Sequence, residues 1–141
     1  MNSENEYPNL SSCNPQVCIS GKIMKCNRKV ASVFRKHLKP FNITNSQLST
    51  LFIIGKAPNP SLKVLSSMMY MDKSTVNRNL KRLLDHKLIV KLNIHDLRIT
   101  TKGKILLETV IPHWENAMKE IRELLEEEGE SALNIVLQKL T

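Results

Sequence analysis

Aromatic residues are scarce in this sequence of 141 residues: one Trp, two Tyr and three Phe. A core must therefore be assembled from Leu, Ile, Val and Met. No apolar run is long enough to span a bilayer, so no membrane partner is expected. The opening MNSENEYPNL is polar and acidic, unlike a signal peptide. The expected location is cytoplasmic, with three reduced cysteines. Those cysteines, at 13, 18 and 26, match no zinc spacing, and His37, His86, His95 and His113 are isolated. No metal is expected. P-loop, dinucleotide and nucleophile–base patterns are all missing, so the chain reads as neither an enzyme nor a cofactor carrier.

Acid is also short in one place. The chain holds 21 Lys/Arg against 13 Asp/Glu, a net charge of +8. Residues 61–104 carry ten Lys/Arg and three Asp/Glu, whereas residues 105–141 carry three and eight. A basic middle beside an acidic tail points to a polyanion-binding face set apart from another surface.

Pro8, Pro15 and many Ser and Asn make residues 1–17 read as an irregular arm. Ile19, Ile23, Cys26, Val30, Val33, Phe34 and Leu38 then recur at helical steps, up to Pro40. Thr44 and Gln47 form a capping box for a second helix that closes near Gly55. After Pro58-Asn59-Pro60, Ser61 caps a short helix with Leu62, Leu65, Met68 and Met69 apolar. Asp72 caps the next, whose inner side carries Val76, Leu80, Leu83 and Leu84. Leu88–Ile94 reads as a strand, His95-Asp96 as a turn and Leu97–Thr100 as a returning strand. A long helix comes next, over about 101–128, with Leu106, Val110, Trp114, Ala117, Ile121 and Leu124/Leu125 as its buried stripe. Pro112 is expected to kink it and Gly129 to stop it, before a last helix at 131–140.

Helix, tight turn, helix and hairpin in that order make a winged helix-turn-helix. The fold class is mainly α with a small β-hairpin wing. In such a module the second helix enters the DNA major groove, leading with its N-terminal residues. Here that helix, at 73–86, carries Lys73, Ser74, Thr75, Asn77, Arg78, Lys81 and Arg82 on its outer side. Cations meet phosphates or guanine edges, and the amides of Asn77 and Asn79 suit adenine. Hydroxyls at the helix start suit phosphate or base edges, and the helix N-terminus adds partial positive charge. Lys63, Lys87 and Lys91 extend the basic surface.

Several motifs resemble the MarR family of bacterial transcription regulators. They are Thr44-x-x-Gln47, then Met71-Asp72-Lys73-Ser74-Thr75-Val76-x-Arg78, then Leu83-Leu84-Asp85-x-x-Leu88-Ile89, then Ile99-Thr100-x-x-Gly103. The resemblance spans about residues 18–141. It implies a homodimer on a pseudo-palindromic operator, acting as a repressor relieved by a small-molecule effector or by oxidation. It also implies a domain layout: a winged-helix part at about 44–101, with dimerisation helices at 18–39 and 102–141. The wing is several residues shorter than the family's, which leaves Arg98 as its candidate for the minor groove. Lys87 replaces the glycine usual before the Leu-Ile pair.

Two alternatives stand beside this reading. One is a thiol-based sensor on the same scaffold. The resemblance places a redox thiol at the start of the first helix, where this chain has Cys18, one turn from Lys22 and without the second cysteine of a Cys-x-Cys pair. Cys26, on the apolar stripe, reads as a buried inert thiol. The other is a winged helix used for protein contact without DNA affinity.

Overall fold

The computed structural model describes residues 6–57, 59–93 and 95–141. The chain divides into two compact units, residues 1–32 and 33–141.

In the first unit the described part of the arm, from residue 6, is not irregular. Pro8 opens α1 (Pro8–Ser12), and Pro15 opens a 3-10 turn at Pro15–Val17 whose cap, Asn14, accepts the Gln16 N–H at 3.1 Å. Proline's fixed φ and missing N–H suit a first helical turn, so the same residues that read as breakers act as starters. α2 (Ile19–Leu38) begins beyond Cys18. Its first half is exposed: Ile19 and Ile23 face solvent, and so does Cys26, contrary to the expectation of a buried thiol. The stripe has the right period, but among the described residues of this unit nothing covers its first half.

In the second unit the end of α2 buries Val33, Phe34 and Leu38. A 3-10 turn around Pro40 and a left-handed Asn42 lead to α3 (Asn45–Lys56). Its capping box is formed as expected, Thr44 accepting the Gln47 N–H and Gln47 accepting the Thr44 N–H. α4 (Leu62–Met69) is capped by Ser61, and α5 (Lys73–Asp85) by Asp72. Leu48, Leu51, Leu65, Val76, Leu83 and Val110 are fully buried, so the aliphatic core lies where α3, α4, α5 and the last helix meet. Each such side chain contributes about 1.5–3 kcal/mol. Leu124, expected on the buried stripe with Leu125, is exposed, and Leu125 is half-buried. Phe52 and Trp114 meet edge to face at 5.6 Å, and Phe41 and His113 at 4.8 Å.

The wing pairs β1 (Ile89–Asn93) with β2 (Asp96–Ile99), antiparallel, with Ile89 opposite Ile99 and Val90 opposite Arg98. Asp96 lies in the returning strand opposite Asn93 rather than in the turn; Pro58 and Ile94 lie outside the described residues. The Ile99-Thr100-x-x-Gly103 motif ties this hairpin to α6 (Thr101–Leu140). Thr100 Oγ1 accepts the Gly103 N–H at 3.0 Å and donates to the Lys87 carbonyl at 2.7 Å. A Cβ at Gly103 would collide with the Leu88 carbonyl oxygen and sit 2.7 Å from Ile99 Cγ1.

α6 breaks at neither Pro112 nor Gly129. Its one departure from helical dihedrals is Glu126, at φ 57°, ψ −177°. Pro112 is exposed, so the carbonyl it deprives of a donor is open to water. Arg122 Nε bonds Glu130 Oε1 at 3.2 Å across the break. Earlier in α6, Glu120 anchors the end of α2 through Lys36 Nζ at 2.6 Å and His37 Nε2 at 2.7 Å.

Candidate nucleic-acid interface

The turn before α5 is shaped by backbone hydrogen bonds. Tyr70 is left-handed (φ 50°), its N–H bonds the Ser67 carbonyl, and the Met71 N–H bonds the Ser66 carbonyl. The Ser66 hydroxyl donates to the Met71 carbonyl. This closure of α4's carbonyls delivers Asp72 to the cap of α5.

Asp72 Oδ1 accepts the Thr75 N–H at 2.7 Å, and Oδ2 accepts the Thr75 hydroxyl at 3.0 Å. The Asp72 carboxyl is held below its ordinary value, first by the Thr75 backbone bond, then by the Thr75 hydroxyl, with Arg78 and the Ser74 N–H adding to this. Arg78 Nη2 in turn donates to Thr75 Oγ1 at 3.1 Å.

The sides of α5 are separated by burial. Val76, Asn79, Leu80 and Leu83 face inward; Lys73, Ser74, Asn77, Arg78, Lys81 and Arg82 are exposed. Thr75 is half-buried at the edge. The structure therefore brings the expected set onto one surface, with Lys63 exposed on α4 and Lys87 and Lys91 exposed beyond α5.

Asn79 is the correction. Its amide chemistry suits adenine, but it is buried and donates to Ser46 Oγ at 2.7 Å and to Thr50 Oγ1 at 3.4 Å. Thr50 Oγ1 donates on to the Ser46 carbonyl at 2.9 Å. On a helical wheel Asn79 lies about 60° from Val76, at the edge of the apolar arc. A buried amide needs partners, and α3 supplies them.

Arg98 lies in β2 and is bound twice to Asp96, Nε to Oδ1 at 2.9 Å and Nη2 to Oδ2 at 3.1 Å. The pair raises the Arg98 pKa, mainly through the Asp96 hydrogen bonds. Residues two apart in a strand share a face, which makes this contact local. Cys18 is exposed, and its Sγ accepts the Gly21 N–H at 3.4 Å at the start of α2.

Two features had no signal in the sequence. Lys102 Nζ donates to the His86 carbonyl at 2.9 Å, closing the end of α5 from α6. Beside it lies a cavity of about 330 Å³ between the 41–43 turn, the end of α5 and the start of α6. Phe41, Ile43 and Leu106 line its apolar part, and Arg82, His86 and Lys102 its polar part. Among the described residues no cluster of His, Cys, Asp and Glu could hold a metal, and no helix is long and apolar enough to cross a membrane.

The fold and this surface together define a winged helix-turn-helix. Residues 41–99 match the model of the MarR family, a segment of less than half of the chain. The HTH-type transcriptional regulator BilQ of Clostridioides difficile is 33% identical over 93 residues, 60% of this chain and 63% of the relative's length. Among solved structures, Bordetella bronchiseptica BpsR, described in connection with regulation of its DNA binding by 6-hydroxynicotinic acid, is similar with a TM-score of 0.79. It is 17% identical, covering 92% of this chain and 98% of that one. Mycobacterium tuberculosis MosR in complex with DNA gives a TM-score of 0.74 at 20% identity, covering 87% and 97%.

Proposed function

We propose that this protein is a sequence-specific DNA-binding regulator of transcription, a repressor, that binds a pseudo-palindromic operator as a homodimer through the helix at 73–86. The observation that carries this reading is the outer face of α5. It presents Lys73, Ser74, Asn77, Arg78, Lys81 and Arg82 to solvent, while its capping acid, Asp72, is engaged by Thr75. Lys63 and Arg98 extend the contact surface from α4 and the wing. The protein is a binding protein and not an enzyme, and its place is the cytoplasm.

The dimer reading rests on uncovered apolar side chains. Leu133, Ile135, Val136, Leu137 and Leu140 are all exposed at the end of α6, as are Ile19 and Ile23 in the first unit. A two-fold contact through the helices at 18–39 and 102–141 covers such faces and sets two copies of α5 about 34 Å apart, one turn of DNA. Leu137→Asp then yields monomers in sedimentation experiments; an unchanged dimer moves the interface elsewhere.

The cavity supports an effector with an apolar body and an acidic group, held by Arg82, His86 and Lys102. Arg82 serves both the cavity and the outer face, so a ligand there competes directly with DNA. A second reading, a thiol sensor, rests on the exposure of Cys18; it requires peroxide-triggered release that Cys18→Ser abolishes.

Selecting bound duplexes from a random pool tests the main reading. The expected winners are palindromes with half-sites one turn apart, bound with a steep salt dependence because phosphate contacts release counterions. Arg78→Ala then costs about 1–3 kcal/mol of operator affinity. No duplex bound even at low salt leaves the third possibility, a winged helix for protein contact.

A further inference from the structure

Of the cations on α5, Arg78 alone has a side-chain partner among the described residues. Lys73, Lys81 and Arg82 project from the same helix without one there. That difference points to a division of labour along the helix.

We propose that Asp72 and Thr75 are positioning residues that fix the base preference of Arg78, an inference that rests on the DNA-binding reading above. The three residues are spaced by three, which stacks them on one side of the helix. The chain of bonds has a direction. The Thr75 backbone N–H pins Asp72 Oδ1 at 2.7 Å. A carboxylate only accepts, so the Thr75 hydroxyl proton is committed to Asp72 Oδ2 at 3.0 Å. The oxygen's lone pairs are then left for Arg78 Nη2, at 3.1 Å. The negative charge of Asp72 attracts the same guanidinium.

Arginine has five N–H donors, and this tether uses one. The remaining fork still suits the two acceptors of a guanine edge. A tethered guanidinium loses less freedom on binding than a free one and offers one geometry instead of many. Unrestrained cations such as Lys81 and Arg82 adapt to phosphates wherever these lie, which adds affinity without sequence information. Thr75 thus acts on DNA through Arg78, not by its own contact.

The test uses the full chain and the duplex selected from the random pool, with each base pair of a half-site changed in turn. Arg78→Ala is expected to flatten the preference at one base pair by about tenfold or more. Thr75→Val, which keeps the shape and removes the hydroxyl, flattens the same base pair by a smaller factor. It lowers affinity for the selected duplex more than affinity for random duplex. Added to Arg78→Ala, it changes nothing further, whereas Thr75→Ser retains the preference. Asp72→Asn, which keeps a capping side chain but removes the charge, provides a second variant with the same expected base pair. The proposal is overturned if Thr75→Val acts on a different base pair, or weakens specific and random duplexes alike. It is also overturned if Thr75→Val costs as much in the Arg78→Ala background, or if Asp72→Asn leaves the preference intact. A wild-type protein that binds no duplex at low salt instead removes the DNA-binding reading, and this inference with it.

Discussion

The side-chain amide of Asn79, on the helix expected to face DNA, points the other way and bonds Ser46 Oγ of α3 at 2.7 Å. The contact joins residues 33 apart in the chain and fixes how α5 is rolled on its support. Asn79→Ala removes the donor, leaves Ser46 and Thr50 short of a partner and opens a small void. The expected loss is about 1–3 kcal/mol of unfolding free energy. Urea denaturation measures it, and a change under a few tenths would assign Asn79 no such role.

Lys87 holds a left-handed backbone at φ 58°, just past the end of α5. Its N–H bonds the Leu84 carbonyl and the Leu88 N–H bonds the Leu83 carbonyl, both at 2.9 Å, so the conformation is needed to turn the chain into β1. A Cβ is disfavoured there and glycine is not. Lys87→Gly should therefore stabilise the fold by about 1 kcal/mol and raise the melting temperature. A lower melting temperature contradicts the account.

Gly103 presents the opposite case. Its backbone is not left-handed; the constraint is space, because the Leu88 carbonyl lies where a Cβ would go. Gly103→Ala gains helix propensity yet must push α6 off the hairpin. The expected net effect is a destabilisation of about 1–3 kcal/mol. If calorimetry instead shows the stabilisation expected of Gly→Ala in an open helix, the close approach is not real.

Glu120 gives the stability a pH dependence of known sign. Its carboxyl is held below its ordinary value, first by the hydrogen bond from Lys36 and then by that from His37. The unfolded chain therefore binds the proton more readily than the native one. The stabilisation is complete above the unfolded carboxylate pKa and fades as pH falls through the lowered native value. Wild type should lose stability on acidification more steeply than Glu120→Gln, and their difference should narrow in acid. An equal difference at neutral and acid pH would exclude Glu120 as a source.

The parts of the fold legible in the sequence are those set by near neighbours. Thr44, Ser61 and Asp72 each accept an N–H three residues ahead, so the three helix starts they mark can be read from residue type and spacing, whereas Thr100, read as the end of the returning strand, caps α6. The basic face of α5 is legible for the same reason: one helix fixes which residues lie side by side. The misreadings come from residues whose role depends on a distant surface. Cys26 has the period of a core position, but period does not say whether anything covers it. Asn79 has the chemistry of a base reader, and its place on the wheel leaves its direction open until α3 is in position. Proline at 8 and 15 reads as an interruption because its value as a helix starter depends on the conformation of the residues after it.

The sequence by itself determined the order of elements from α2 to the wing, the caps at Thr44, Ser61 and Asp72 and the concentration of positive charge on α5, because these follow from local backbone chemistry and helical periodicity. Only the tertiary structure decided that Asn79 faces α3, that Glu120 receives Lys36 and His37, that Lys102 closes the end of α5 and that a cavity lies beside it. Those contacts join residues from 16 to 84 positions apart, and no local propensity encodes which distant partners the packed core will bring within hydrogen-bonding reach.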